Sequence, residues 1–577
     1  MNSKKSFHRA FFFLVASSLT LAGCDVFSGL ANPSDSGAAF VRFVEPVNGT
    51  IDLSLYATGA GRNAYVVFTT GESADAATPS ASLKSVSRTS TLSVAGRVAG
   101  VAEKASEERR AAFRTAMESF VPVPAPRFMS TGDPSFDAPG QTKSFTLYGD
   151  TTTTNAVCKY VSGSVDFGGR SRSLSIWVES TEWSDSDTAN GKVTPEKISA
   201  LANSFFNADQ VPVDSIYEWV TNMLGDEWGP EGSIKYGNTT YNTIGETNNI
   251  TILLADIEND TTDFLTQGGI VGYFYPGDTI PTFSYSNERV MFTIDSVMLG
   301  TKDDTTWDLS DYWPREVIST LAHEFQHLIH YYQKGVVAGA DLAYEPTWID
   351  ELCSMQVEDL IADKMGVPGP RGIAPEIWSA GSPGITSGRI VDYLYYPDIS
   401  LDDWGRTDIY ASYAAAYAFG AYLTRNYGGA AFIRSVVQSP FASANSIIMA
   451  AEGFSGRDES MGNLLRRWGA AVLLSQRMDA PEFYRYNTGT FFASVIGDIE
   501  YKLGSVNFYN FTAGIDSDGD DAADFTVAAP FVYSALNIDQ LYGGAYSNAF
   551  MTLGNPADRP GWLIKIPEGM YATIVID

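Results

Sequence analysis

The sequence predicts an α+β fold: a small sheet and a helical half, flanked on both sides by β structure. Three observations support it. Two apolar strand patterns, Ile250-Thr251-Ile252-Leu253-Leu254 and Val290-Met291-Phe292-Thr293-Ile294, precede a series of helix patterns. Short alternating segments with Gly and Asn turns lie before and after that block. Every histidine except His8 falls within His323-Glu324-Phe325-Gln326-His327-Leu328-Ile329-His330, a stretch with helical periodicity.

Residues 1–24 read as a secretory leader. Lys4, Lys5 and Arg9 precede an apolar run from Phe11 to Leu21, and the segment closes with Leu21-Ala22-Gly23-Cys24. That ending resembles the bacterial lipobox, which would make Cys24 an acylated N-terminus; an ordinary leader with a chance cysteine is the plainer alternative. No other stretch approaches the roughly 18 apolar residues needed to cross a bilayer. The expected location is therefore the cell envelope, lipid-anchored outside the cytoplasm. The formal net charge is −30, and losing the leader would remove three cations and no acid. Such acidity disfavours nucleic acid and anionic membrane surfaces as partners. Besides Cys24 only Cys158 and Cys353 occur, which fits one disulfide or two buried thiols and excludes a cysteine-rich scaffold.

At 577 residues the chain is too long for one core, and its 44% apolar content suffices for several. Residues 25–37 read as a tether and 38–190 as an N-terminal β domain, with strand patterns such as Tyr65-Val66-Val67-Phe68 and Leu174-Ser175-Ile176-Trp177-Val178. A Ser-, Ala- and Thr-rich insert around 72–140 interrupts it, with a helix-like part from Val101 to Phe120. Residues 191–497 form the third unit, with helices at Pro195–Phe206 and Val213–Leu224, and then near 347–364, 408–426, 430–438 and 460–478. Residues 498–577 return to short strands and Gly-rich turns, a C-terminal β module.

The histidine helix is expected to begin near Pro314 and to stop at Gly335. Ile318, Leu321, Ala322, Phe325, Leu328, Ile329 and Tyr332 mark its core face, which leaves His323 and His327 on the opposite side, lining a cleft. Two histidines four apart share one helix face and can chelate one metal ion, and Glu324 between them is placed to activate water. One catalytic zinc with three protein ligands is the expectation. His330 lies too far along the helix to share that metal easily and reads as a support behind a ligand, a cleft-lining residue or an ordinary surface histidine. Glu351 is the better third ligand. It lies in Thr347-Trp348-Ile349-Asp350-Glu351-Leu352-Cys353-Ser354, a second helix after Pro346 whose antiparallel packing would bring it to the histidines; a surface carboxylate is the alternative.

His323-Glu324-Phe325-Gln326-His327 followed by Trp348-Ile349-Asp350-Glu351 resembles the gluzincin metallopeptidases, most closely the M30, hyicolysin-type family. Gly272-Tyr273-Phe274-Tyr275-Pro276-Gly277-Asp278, Ser286-Asn287-Glu288-Arg289 and Tyr413-Ala414-Ala415-Ala416-Tyr417-Ala418-Phe419, with the later Asn426-Tyr427-Gly428, add to the resemblance, which spans roughly 245–430. It implies a zincin-like metallopeptidase domain acting on protein or peptide substrates, with His323, His327 and Glu351 as zinc ligands and Glu324 as base. Tyr413 or Tyr417 would be a transition-state donor, against the plainer reading of aromatic packing. Asp350 stands where many gluzincins have Asn, and Met355 stands where some relatives place an acid behind a ligand histidine. Glu358 or a backbone carbonyl would then supply that support.

Asp516, Asp518, Asp520 and Asp524 alternate around Gly519 and form a candidate structural calcium loop, although Val527 stands where a full EF-hand needs glutamate; a plain acidic turn is the alternative. The leading expectation is an extracytoplasmic zinc endopeptidase. The second is an inactive metallopeptidase-like binding or adhesion lipoprotein, suggested by the flanking β regions. The intact His323, Glu324, His327 and Glu351 weigh against it.

Overall fold

The computed structural model describes residues 39–44, 49–52, 62–71, 137–149, 151–186, 189–207, 214–230, 232–257, 271–302, 305–366, 389–405, 409–515, 525–528, 530, 532–534, 544–555, 558, 563–566 and 569–577. The leader with Cys24, the 25–37 tether, most of the 72–140 insert and the acidic loop with Asp516, Asp518, Asp520 and Asp524 lie outside the described residues.

The site is built on a mixed seven-stranded sheet. Its order is Gly272–Tyr273, Met291–Asp295, Asn249–Ala255, Arg170–Glu179, Thr153–Val161 and Thr142–Thr146, with Val165–Phe167 pairing beside Arg170–Glu179. Asn249–Ala255 runs parallel to both neighbours, and its unbroken Ile250-Thr251-Ile252-Leu253-Leu254 run is what a strand covered on both faces requires. Leu174, Ile176, Ile250, Ile252, Leu254, Phe292 and Ile294 point into the main core, beneath the helices. Phe145, Cys158, Trp177, Leu253 and Met291 fill a smaller core on the other face. Cys158 and Cys353 are both free thiols and buried, the second of the two alternatives.

The expected domain boundary near residue 190 meets this sheet. Arg170–Glu179, grouped by pattern with the N-terminal strands, pairs in register with Asn249–Ala255 from Asn249↔Ser173 to Leu254↔Val178. A second sheet joins the two ends of the chain in the order Phe40–Val44, Met570–Ile576, Ala64–Thr70, Ser547–Gly554, Tyr533–Ser534. N- and C-terminal β segments thus share one sheet, with Ala64–Thr70 at its centre. Alternation identifies a strand but carries no information on a partner hundreds of residues away.

That sheet packs on the helix Met461–Leu473. Gly469 permits the approach, since a Cβ there would lie 2.5 Å from Val67 Cγ1. Asn548 Nδ2 donates to Leu465 O at 2.8 Å, and Arg466 Nη2 donates to Ala572 O at 2.8 Å.

The helices expected at 195–206, 213–224, 347–364, 408–426, 430–438 and 460–478 form at Pro195–Phe205, Ile216–Leu224, Thr347–Met365, Ile409–Asn426, Ala430–Val437 and Met461–Leu473. Arg389–Tyr395 and Asn445–Ser455 are additional, short helices. The histidine helix spans Tyr312–His330, and its Phe325 ring packs against the two preceding helices, with ring centroids 5.1 Å from Phe205 and 5.5 Å from Tyr217, and lies 6.4 Å from Phe292 of the sheet.

Because Ala64–Thr70 is hydrogen-bonded on both sides, deleting residues 1–71 is expected to abolish soluble, cooperatively unfolding protein. A truncated chain that melted like the full one would show this strand to be dispensable. A second expectation concerns Asp278, in the turn after the edge strand. Its buried carboxylate accepts from Asn287 N at 2.9 Å and Asn287 Nδ2 at 2.8 Å, and burial pushes its pKa up from 3.8 to about 7. The folded state keeps a proton that the unfolded chain has released, so stability falls as pH rises between those two values, by at most about 1.4 kcal/mol per pH unit. Asp278→Asn should flatten that part of the urea-unfolding pH profile, and an unchanged slope would refute the assignment.

Candidate metal centre

The histidine helix does not stop at Gly335. It passes at His330 into a π-helical segment, Tyr331–Val337, and it starts two residues before Pro314. On the face opposite its core stripe, expected to line a cleft, the helix is packed as well. It is buried nearly all round, and His323 and His327 are only 6% and 3% exposed. Periodicity located the apolar face correctly, but a second helix covers the polar face.

That second helix is Thr347–Met365, which follows Pro346 and ends at Gly366 in a left-handed conformation (φ +64°). Its contacts descend as the first helix ascends: His323 meets Glu358, His327 meets Asp350 and Glu351, and His330 meets Glu345 just upstream. The pair is antiparallel, as expected.

The packing brings His323, His327 and Glu351 together, with one donor atom from each inside a 4.8 Å sphere of mutual distances. Glu351 Oε2 lies 3.2 Å from His323 Nε2 and 3.8 Å from His327 Nε2. Tetrahedral donors at zinc bond lengths of about 2.0–2.1 Å stand roughly 3.3 Å apart, so the three fit a zinc ion with small adjustment. The opposite ring nitrogens support that fit. His323 Nδ1 is hydrogen-bonded to Glu358 Oε1, and His327 Nδ1 lies 2.9 Å from Asp350 Oδ1. The Glu358 carboxylate holds His323 in the tautomer that leaves Nε2 as the ligating atom, and Asp350 stands at ion-pair distance on the same side of His327.

The remaining sequence-derived residues divide. Glu358 stands behind His323 and is itself held by Arg389 at 3.0 Å. Tyr413 donates to Glu351 Oε1 at 3.2 Å and packs its ring on Trp404 at 4.8 Å. In this arrangement its hydroxyl orients a carboxylate that could hold metal. Tyr417, one helical turn after Tyr413, donates instead to Asp359 Oδ2, where Arg425 also reaches. Glu324 is buried, and its Oε2 accepts the Phe274 N–H at 2.9 Å, next to the edge strand Gly272–Tyr273. His330 is 2% exposed, stands outside the three-residue group, and touches Asp350 and Glu345.

Three participants were not read from the sequence. Asp350 was noticed only as a departure from Asn. Arg389 and the Phe274 amide left no signal, because each meets its partner across a large gap in the chain. Electrostatics reinforce the cluster. Burial pushes the Asp350 carboxyl up, but the nearby His327 and His330 outweigh it and hold the group well below the usual range. Burial pulls the His330 ring down, yet Glu345 and then Asp350 raise it well above an ordinary histidine.

Residues 164–487, more than half of the chain, match the family model described as Peptidase M30. The chain is 24% identical over 304 residues to the neutral metalloprotease ShpI of Staphylococcus hyicus, a match covering 51% of this chain and 63% of that protein. Among solved structures, the M1 zinc metallopeptidase from Deinococcus radiodurans overlays with a TM-score of 0.29 at 12% identity, over 57% of this chain and 59% of that one. A mutant of it bound to a Tyr-Ser-Ala substrate gives 0.25 at 13%, over 56% and 48%. Overlays this loose carry no weight for mechanism or substrate.

Glu358→Gln removes the charge behind His323 and keeps its shape, so zinc affinity measured by chelator competition should fall about 10–100-fold. Tyr417→Phe, one turn away, should leave that affinity unchanged. The reverse pattern would put the metal elsewhere.

Proposed function

The chain belongs to the peptidase M30 family, and from that premise we propose that it is a zinc-dependent endopeptidase working outside the cytoplasm, anchored by a lipid on Cys24. The observation that carries the catalytic reading is the convergence of His323, His327 and Glu351 on one buried point, with Glu324 on the same helix as both histidines. The anchor rests on Leu21-Ala22-Gly23-Cys24 alone; among the described residues no helix is long and apolar enough to cross a membrane.

A zinc ion held by the three residues would polarise a scissile carbonyl and bring the pKa of water toward neutrality. The chain supplies the rest. Glu324 serves as general base, taking a proton from the attacking water and passing it to the leaving amine nitrogen. The Phe274 N–H holds its carboxylate in place. Tyr413 holds Glu351 Oε1, which leaves Oε2 turned toward the histidines.

The substrate path follows from the same contact. Among the described residues Gly272–Tyr273 is the end strand of its sheet, with no further strand paired on its outer side. An extended peptide added along that edge would have its backbone beside Glu324. Edge addition reads main chain before side chains and needs no free terminus, which favours an endopeptidase acting on proteins or peptides.

Glu324→Gln should lower casein hydrolysis by about 10²–10⁴-fold, while zinc content measured by mass spectrometry stays at the wild-type value. Hydrolysis that survives the substitution would remove Glu324 as base. A zinc-loaded wild-type chain that cleaves nothing would favour the binding-protein reading.

A further inference from the structure

Taking the zinc reading as given, we propose that His330 is a positioning residue for the metal centre: held by Glu345 and Lys334, it fixes the Asp350 carboxylate against His327.

His330 is enclosed by acids on both ring nitrogens. Nε2 lies 3.0 Å from Glu345 Oε1, and Nδ1 lies 3.1 Å from Asp350 Oδ1. The first contact is a hydrogen bond, and the second is an ion-pair approach. The Gln326 amide also stands 3.1 Å from Nδ1, and its own Oε1 has no hydrogen-bond partner. Turning that amide over lets Oε1 accept from Nδ1 while Nε2 donates to Glu345, an arrangement that suits a protonated ring.

The contacts form one buried line. Lys334, fully buried in the π-helical segment, donates to Glu345 Oε1 at 2.6 Å. Glu345 meets His330, His330 meets Asp350, and the same Asp350 oxygen reaches His327 Nδ1 at 2.9 Å. Charge alternates along it from the lysine to the aspartate, so each ion is offset by its neighbour in a place where an unmatched one would be costly. The line ends on an atom whose protonation decides whether His327 Nε2 can ligate.

The other ligand has the same construction with different parts. His323 is backed by Glu358, and Glu358 is held by the Arg389 guanidinium. His330 thus stands to Asp350 as Arg389 stands to Glu358: a fixed cation behind the acid behind the ligand.

The test measures zinc release from the purified full chain into a chelating dye, together with kcat and KM on casein. His330→Gln and Glu345→Gln should each release zinc about 10–100-fold faster and lower kcat with KM unchanged. Glu459→Gln opens the buried Arg467–Glu459 pair, which lies outside this line, and serves as the stability control. It should lower Tm and leave zinc release at the wild-type rate. If His330→Gln behaves like Glu459→Gln, with lower Tm and unchanged release, the proposal is overturned. If the wild-type chain takes up no zinc, the metal reading itself fails. Nitrogen-15 NMR of the wild-type rings needs no variant to fold: both His330 nitrogens should carry protons at neutral pH, and a neutral ring would overturn the proposal.

Discussion

Two antiparallel helices press histidines on one against acids on the other, with almost no solvent between them. Such a contact is stable only if each charge is met, since removing one member of a buried pair costs about 3–5 kcal/mol. The neighbourhood is arranged accordingly. Arg389 meets Glu358, His330 and Lys334 flank Glu345, and Arg425 reaches Asp359. The elements around the helix pair contribute to this matching. Arg389 opens one short helix, Arg425 lies in the last turn of the longer Ile409–Asn426, and Glu345 comes from the connection between the pair itself.

The sheet has a different task, which is to present the edge strand to the helix. Phe325 anchors the histidine helix over Phe205 and Tyr217, and the Phe274 amide then meets Glu324 directly. A main-chain donor just past the edge strand thereby holds the proposed base, so the proposed substrate path and that carboxylate share one contact. The terminal strands close the molecule from outside, with Ala64–Thr70 between strands from the other end of the chain.

Ligand geometry and function are linked through the ring nitrogens that do not face the metal. A histidine whose Nδ1 is committed to a carboxylate can offer only Nε2; Glu358 commits His323 in this way, and Asp350 faces His327 Nδ1 at ion-pair distance. Asp350 for the more frequent Asn is thus consistent with this site, because a charged residue there is matched by His330. On the His323 side the carboxylate behind the ring comes from Glu358, further along the same helix.

Much was legible in the chain itself. The two histidines and the intervening glutamate follow from spacing on one helix, Glu351 from a second helix after Pro346, and the strand at residues 249–255 from a run of apolar side chains; these depend on neighbours in sequence, where periodicity carries information. What lies behind the ligands did not show in this way. Arg389 with Glu358, Phe274 with Glu324 and the pairing of the first strands with the last are contacts between segments far apart in the chain, and no local pattern encodes them. The burial of the histidine helix on its polar face is of the same kind. One helix shows which of its sides is apolar, but only the packing of another against it decides whether the other side meets water.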